Sequence, residues 1–176
     1  MAKNIILITG GARSGKSSYA EQRATELGPR RLYIATAEAN DEEMRQRIEE
    51  HKRRRGNEWV TIEEPIELAE PLLAQRAQTD CGLVDCLTLW ISNLLLRYDV
   101  KYAQEKVKQF VETTRQLDFH VVLVTNEVGW GIVPDNPLAR QFRDLSGWAN
   151  QRLAAAANEV VLVVAGIPMI VEKRIV

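Results

Sequence analysis

Cysteine is nearly absent from this chain. The two present among 176 residues, Cys81 and Cys86, flank a short apolar run. They are too few and too poorly spaced for a disulfide framework or a zinc site, and they read as reduced thiols. An excess of one charge is missing too. Lysine and arginine total 23 against 24 aspartates and glutamates, a net of -1, which removes the global basic footprint of a nucleic-acid binder. No apolar run approaches the length needed to cross a membrane. Met1-Ala2-Lys3-Asn4 leads straight into Ile5-Ile6-Leu7-Ile8, without the pattern of an export leader. Repeats, low-complexity tracts and linkers are also lacking. The expectation is a cytoplasmic protein with no nucleic-acid partner and no membrane span.

The residues that are abundant are apolar and periodic. With 45% hydrophobic residues, the chain is long enough for one buried core and short for two, so residues 1–176 are expected to form a single domain. Five runs are apolar almost throughout: Ile5 to Thr9, Leu32 to Thr36, Gly82 to Cys86, Val121 to Thr125 and Val160 to Ala165. Such runs mark strands buried on both faces of a parallel sheet. Helical spacing fills the gaps, as in Ala103, Val107, Phe110, Thr114 and Leu117, or Leu138, Phe142, Leu145, Ala149 and Ala156. Strand alternating with helix predicts an α/β fold with right-handed crossovers.

Boundary signals agree. Gly28-Pro29 ends the first helix, and Asn40 with Glu43 has the capping-box form that starts a second, from about Asp41 to Arg54. Between Glu64 and Ala77, Pro65 suits a helix start and Pro71 is expected to break or kink that helix. Pro168 to Arg174 reads as a final strand at a sheet edge, where proline is tolerated.

Gly10-Gly11-Ala12-Arg13-Ser14-Gly15-Lys16-Ser17 fits G-x-x-x-x-G-K-[ST] in full. In this pattern glycines let backbone N–H groups face phosphate oxygens, Lys16 reaches the β and γ oxygens, and Ser17 ligates Mg²⁺. The eight residues follow an apolar strand and open a helix whose N-terminal dipole favours an anion. The second metal ligand of a P-loop is an acidic residue ending a neighbouring strand. Asp85 fits that place; its ordinary alternative is to cap the next helix.

Histidine is as scarce as cysteine. His120 opens an apolar strand, where a packed or strand-end residue is the plain explanation. His51 shares a predicted helix face with Met44 and Ile48 and precedes Lys52, Arg53, Arg54 and Arg55. A neutral imidazole can attack phosphorus, and adjacent guanidiniums can neutralise a polyphosphate. From residue types alone, a solvated helix with Glu49–Arg53 and Glu50–Arg54 pairs explains the same segment. A regulatory GTPase is disfavoured because no N-K-x-D motif occurs, and Asp144 to Gly147, the one late D-x-x-G, lies within a helical pattern. A simple small-molecule kinase and a non-enzymatic nucleotide module are the other classes; the P-loop serves a kinase as well as a transferase.

Several further segments are distinctive. They are Thr9 to Ser17, Tyr33-Ile34-Ala35-Thr36, Arg47-Ile48 with His51-Lys52, Thr125-Asn126-Glu127-Val128-Gly129, Gly131-Ile132-Val133-Pro134 and Asn150-Gln151-Arg152-Leu153-Ala154. In this order they resemble the bifunctional adenosylcobinamide kinase and adenosylcobinamide-phosphate guanylyltransferase family over nearly the whole chain. The resemblance implies a RecA-like P-loop sheet, a homotrimer, GTP (or ATP for the kinase step) with Mg²⁺, and two substrates, adenosylcobinamide and its phosphate. It implies transfer of GMP through a guanylylated His51; Lys16, reaching the phosphate oxygens, is read as the other catalytic group, stabilising the departing pyrophosphate. It also carries nucleotide contacts onto the P-loop, Ile34, Ala35, Thr36, His51, Lys52, Arg53, Arg54, Glu63 and Asp85. Glu63 rests on that resemblance alone. The loop Val128 to Pro137, with Trp130 between Gly129 and Gly131, is expected either to border the corrinoid or to pack Trp130 on the sheet.

Overall fold

The computed structural model describes residues 3–38 and 58–174, with Glu42, Arg45, Gln46, Glu49 and Arg53 of the segment between them. The predicted capping box of Asn40 and Glu43 lies outside the described residues.

Strand β1 (Ile5–Gly10) is buried at every position and leads through the phosphate loop into α1 (Lys16–Leu27), which ends at Gly28 as expected. There follow β2 (Arg31–Ala35), β3 (Trp59–Glu63) and a short α2 (Ala69–Ala74). Strand β4 (Cys81–Asp85), α3 (Leu87–Arg97), α4 (Val100–Gln116) and β5 (His120–Val124) continue the alternation. The chain closes with α5 (Pro137–Ala156), β6 (Glu159–Val164) and β7 (Ile167–Lys173).

The strands form one sheet in the order β3-β2-β4-β5-β1-β6-β7, parallel throughout except for β7, which runs antiparallel on β6. Because strand side chains alternate between faces, β1 feeds two cores. Ile5 and Leu7 join Val84, Val121 and Leu123 under α3, α4 and α5. Ile6 and Ile8 join Tyr33, Leu83, Val122 and Val163 around Ala20 and Ala24 of α1. Each fully buried aliphatic side chain contributes about 1.5–3 kcal/mol before chain entropy is counted.

Two boundaries are made by side-chain caps. Asp99 accepts from the Tyr102 N–H at 2.7 Å before α4, and Asn136 accepts from Ala139 N–H at 2.7 Å before α5, whose first residue is Pro137. Two expectations are corrected. Pro71 does not break a helix: it is the third residue of α2, in the first turn, where an amide proton has no intrahelical acceptor to lose. Trp59 to Glu63 is not among the five apolar runs, yet it is a strand that pairs with β2 along its full length.

Candidate active site

The phosphate loop, the segment Ile34 to Thr36, Glu63 and Asp85 all lie at the carboxyl edge of the sheet. Strand register puts Glu63, Ala35, Asp85 and Val124 in one row across β3, β2, β4 and β5. In open α/β sheets this edge is where ligands bind.

The loop is held in shape by its backbone. Gly10 has φ 151°, and a Cβ there would stand 2.3 Å from the Val163 carbonyl oxygen, so no side chain fits. Arg13 (φ 56°) and Gly15 (φ 97°) are left-handed, and these reversals fold the loop around its hollow. Ser14 donates its N–H to the Gly11 oxygen at 3.3 Å, and its carbonyl accepts from the Gly166 N–H at 2.8 Å, which ties the loop to the β6–β7 turn. Gly11, Ala12 and Arg13 are exposed. Helix α1 carries no acidic residue in its first turn, leaving its positive end for an anion.

Lys16 is buried, and its Nζ donates to the Gly11 oxygen at 2.5 Å. Burial pushes its pKa down, while Cys86 and Asp85 pull it back up. The Cys86 thiol is itself pushed up to about 12 by burial, so it is neutral near pH 7, and Asp85 is the effective counter-charge. One Asp85 oxygen, Oδ2, accepts from the Tyr33 hydroxyl at 3.1 Å. The N-cap of α3 is Cys86, with no side-chain cap, so the capping alternative for Asp85 fails.

Thr36 is fully buried. Its hydroxyl accepts from the Cys86 N–H at 2.9 Å and donates to the Cys86 oxygen at 2.7 Å, joining β2 to β4. Ile34 and Ala35 are buried in the two cores, so contacts to a nucleotide from these three residues are left to the main chain. Glu63 and Arg53 are exposed; His51, Lys52 and Arg54 lie outside the described residues. No group of three or more His, Cys, Asp or Glu side chains is placed to hold a metal ion among the described residues. A P-loop cation does not need one, since one hydroxyl, one carboxylate, phosphate oxygens and water make a hard oxygen shell. Ser17 and Asp85, one a hydroxyl and the other a carboxylate, are both half-buried.

A polar network to which the sequence alone assigns no role lies beside the loop. Thr9 donates its hydroxyl to Glu127 Oε1 at 2.8 Å, and Asn150 Nδ2 donates to the same oxygen at 3.3 Å and to the Asn126 carbonyl at 3.1 Å. Thr125 donates to Asn150 Oδ1 at 2.8 Å, and Thr88 Oγ1 accepts from the Asn126 N–H at 2.8 Å. A sequence signal for it exists: Asn150 interrupts the buried stripe Leu145, Ala149 and Leu153 of α5, and a buried amide needs partners.

This edge, with a P-loop at one strand and an acidic residue two strands away, is shared by many nucleotide enzymes; the rest of the chain is more specific. Residues 6–171 match the family model for cobinamide kinase / cobinamide phosphate guanyltransferase. The chain belongs to this family. It is 46% identical over 163 residues to the bifunctional adenosylcobalamin biosynthesis protein CobP of Pseudomonas aeruginosa, covering 93% of this chain and 94% of that one. To CobU of Escherichia coli K12, of the same description, it is 43% identical over 176 residues, covering 93% and 97%. As a member of the cobinamide kinase and guanylyltransferase family, it is an enzyme with both activities, which removes the single-activity kinase, the GTPase switch and the non-enzymatic module. Among solved structures it is similar to the flagellar accessory protein FlaH of Methanocaldococcus jannaschii, with a TM-score of 0.54 and 14% identity over 98% of this chain and 80% of that one. It is also similar to the RadB recombinase, with a TM-score of 0.52 and 14% identity over 92% and 74%. At that identity the likeness is of fold alone, and it bears out the RecA-like P-loop sheet.

The loop after Glu127 is the most exposed apolar part of this edge. Trp130 is 73% exposed and Ile132 97%, so Trp130 does not pack on the sheet.

Proposed function

We propose that this enzyme phosphorylates the aminopropanol hydroxyl of adenosylcobinamide and then moves GMP from GTP onto the phosphate so formed, with release of pyrophosphate, through a guanylylated His51. The observation that carries this reading is the phosphate cradle Gly10, Gly11, Ala12, Arg13, Ser14, Gly15, Lys16 and Ser17, with Asp85 as the counter-charge to Lys16, in a chain of this family.

In the transferase half, the His51 imidazole attacks the α-phosphorus, the bond to the β-phosphate oxygen breaks, and pyrophosphate leaves. Lys16 and the cations Lys52, Arg53 and Arg54 bind the departing charge. The substrate phosphate then attacks the phosphorus on His51 and frees the imidazole. In the kinase half the γ-phosphoryl group passes directly to the hydroxyl, and His51 has no part. Ser17 and Asp85 would hold Mg²⁺, which offsets the charge of the triphosphate. Main-chain atoms of Ile34, Ala35 and Thr36, and the Glu63 carboxylate, complete the nucleotide contacts.

The loop Val128 to Pro137 offers Trp130 to the broad apolar face of the corrinoid. Trp130→Ala should weaken corrinoid binding; unchanged affinity removes that assignment. The protein is proposed to act in the cytoplasm as a homotrimer. Strand β7, exposed at every residue and carrying Ile167, Met169, Ile170 and Val171, gives a subunit interface apolar surface to cover.

The test uses GTP labelled at the α-phosphate. Native protein should retain label after denaturation, acid-labile and alkali-stable as a phosphoramidate is, and His51→Ala should retain none while keeping kinase turnover. Folded, GTP-binding wild-type protein that takes no label would defeat the covalent route.

A further inference from the structure

The two halves of this chemistry differ in one proton. The transferase acceptor is a phosphate, already an anion, whereas the kinase acceptor is a neutral hydroxyl that must lose its proton as it attacks phosphorus. None of the groups assigned so far takes it: Lys16 is cationic, Asp85 is committed to the cation, Glu63 to the nucleotide, and His51 belongs to the other half.

We propose that Glu127 is that acceptor. It lies just beyond the end of β5, the strand between β1 with its phosphate loop and β4 with Asp85, and so at the edge between the cradle and the metal-side carboxylate. Its position is fixed at three points. The Glu127 N–H donates to the Gly10 oxygen at 3.2 Å, and Oε1 receives the Thr9 hydroxyl at 2.8 Å and Asn150 Nδ2 at 3.3 Å. Behind it Thr88, Thr125 and Asn150 are buried and bonded to one another or to its neighbour Asn126. That shell holds one carboxylate oxygen and leaves Oε2 without a hydrogen bond among the described residues, on a side chain that is half-buried rather than sealed. No lysine or arginine among the described residues pairs with it.

A purely structural role would be served as well by glutamine, whose amide oxygen accepts from Thr9 just as a carboxylate oxygen does. A carboxylate adds basicity. Because Glu127 contacts both Thr9 and Gly10, the residues entering the phosphate loop, its free oxygen is carried by the same backbone that places the γ-phosphate. In the step the substrate oxygen bonds to the γ-phosphorus, the bond from that phosphorus to the β-phosphate oxygen breaks, the nucleoside diphosphate leaves with the electron pair, and the hydroxyl proton passes to Glu127 Oε2.

This assignment rests on the triphosphate lying in the P-loop, as in the reading above. The experiment measures two turnovers on the same preparation: phosphorylation of cobinamide, and transfer of GMP from GTP to cobinamide phosphate supplied ready-made. Glu127→Gln should lower the kinase kcat by about 10²- to 10³-fold, the range of a lost general base, with the cobinamide KM within about threefold and the transferase rate within about twofold of wild type. Glu127→Asp keeps the charge but withdraws it by one methylene, and serves if the glutamine variant loses stability; the same split is expected. Kinase turnover held within about threefold of wild type overturns the proposal, and so does a parallel fall of both activities, which marks a structural role. Wild-type protein without either turnover defeats the reading of the site itself, a result distinct from both.

Discussion

Gly10 is where the sequence motif and the structure agree most closely, because its backbone angle and the Val163 oxygen 2.3 Å from a would-be Cβ both exclude a side chain. Gly10→Ala should therefore strain the cradle by about 1–3 kcal/mol and weaken nucleotide binding at least tenfold, read by calorimetric titration. At His120, Nδ1 accepts from the Asn4 N–H at 3.1 Å, and burial is the first cause that pushes the pKa below 6.5. The unfolded chain then binds the proton more readily than the folded one, so stability falls as pH drops through about 6.5 and levels off only below the folded value. His120→Gln, which cannot titrate, should flatten the loss of denaturation midpoint between about pH 7 and pH 5. At this scale the P-loop and Asp85 are legible in the sequence because the chemistry demands those residue types at that spacing. Glu127 is not: its role depends on Thr9 and Asn150, which only the fold brings to it.

Among the elements, α3 is tied to its neighbours through one large side chain. Trp90 is buried against Phe110 of α4, ring centroids 5.2 Å apart, and its indole N–H donates to the Ile66 oxygen at 2.7 Å. Trp90→Ala removes this packing and leaves a carbonyl without its donor, so urea unfolding should show a loss of about 3–5 kcal/mol. The parallel strands can be read from the sequence because burial on both faces leaves unbroken apolar runs. Strand β3 escapes for the converse reason: it pairs only with β2 and three of its five side chains are exposed, so Thr61 and Glu63 dilute the pattern. Pro71 misleads because the rule against proline concerns helix interiors, and the position of α2's first turn is set by tertiary packing of Leu68 and Leu72.

For the whole molecule, the α/β class follows from alternation alone, whereas strand order and the antiparallel return of β7 are settled by long-range pairing that no local pattern encodes. Assembly belongs to this scale. Sedimentation equilibrium should give a mass three times that of the chain, and Ile170→Lys on β7 should shift the population toward the monomer if that strand is buried between subunits. A monomeric wild-type protein would refute the trimer.

The hydrogen bond from the Gly166 amide to the Ser14 oxygen bears on how the protein can be handled. A version trimmed at Val164 would lose β7 and, with it, the outer prop of the phosphate loop. The last hairpin is thus a poor place for shortening or internal fusion, however peripheral it looks.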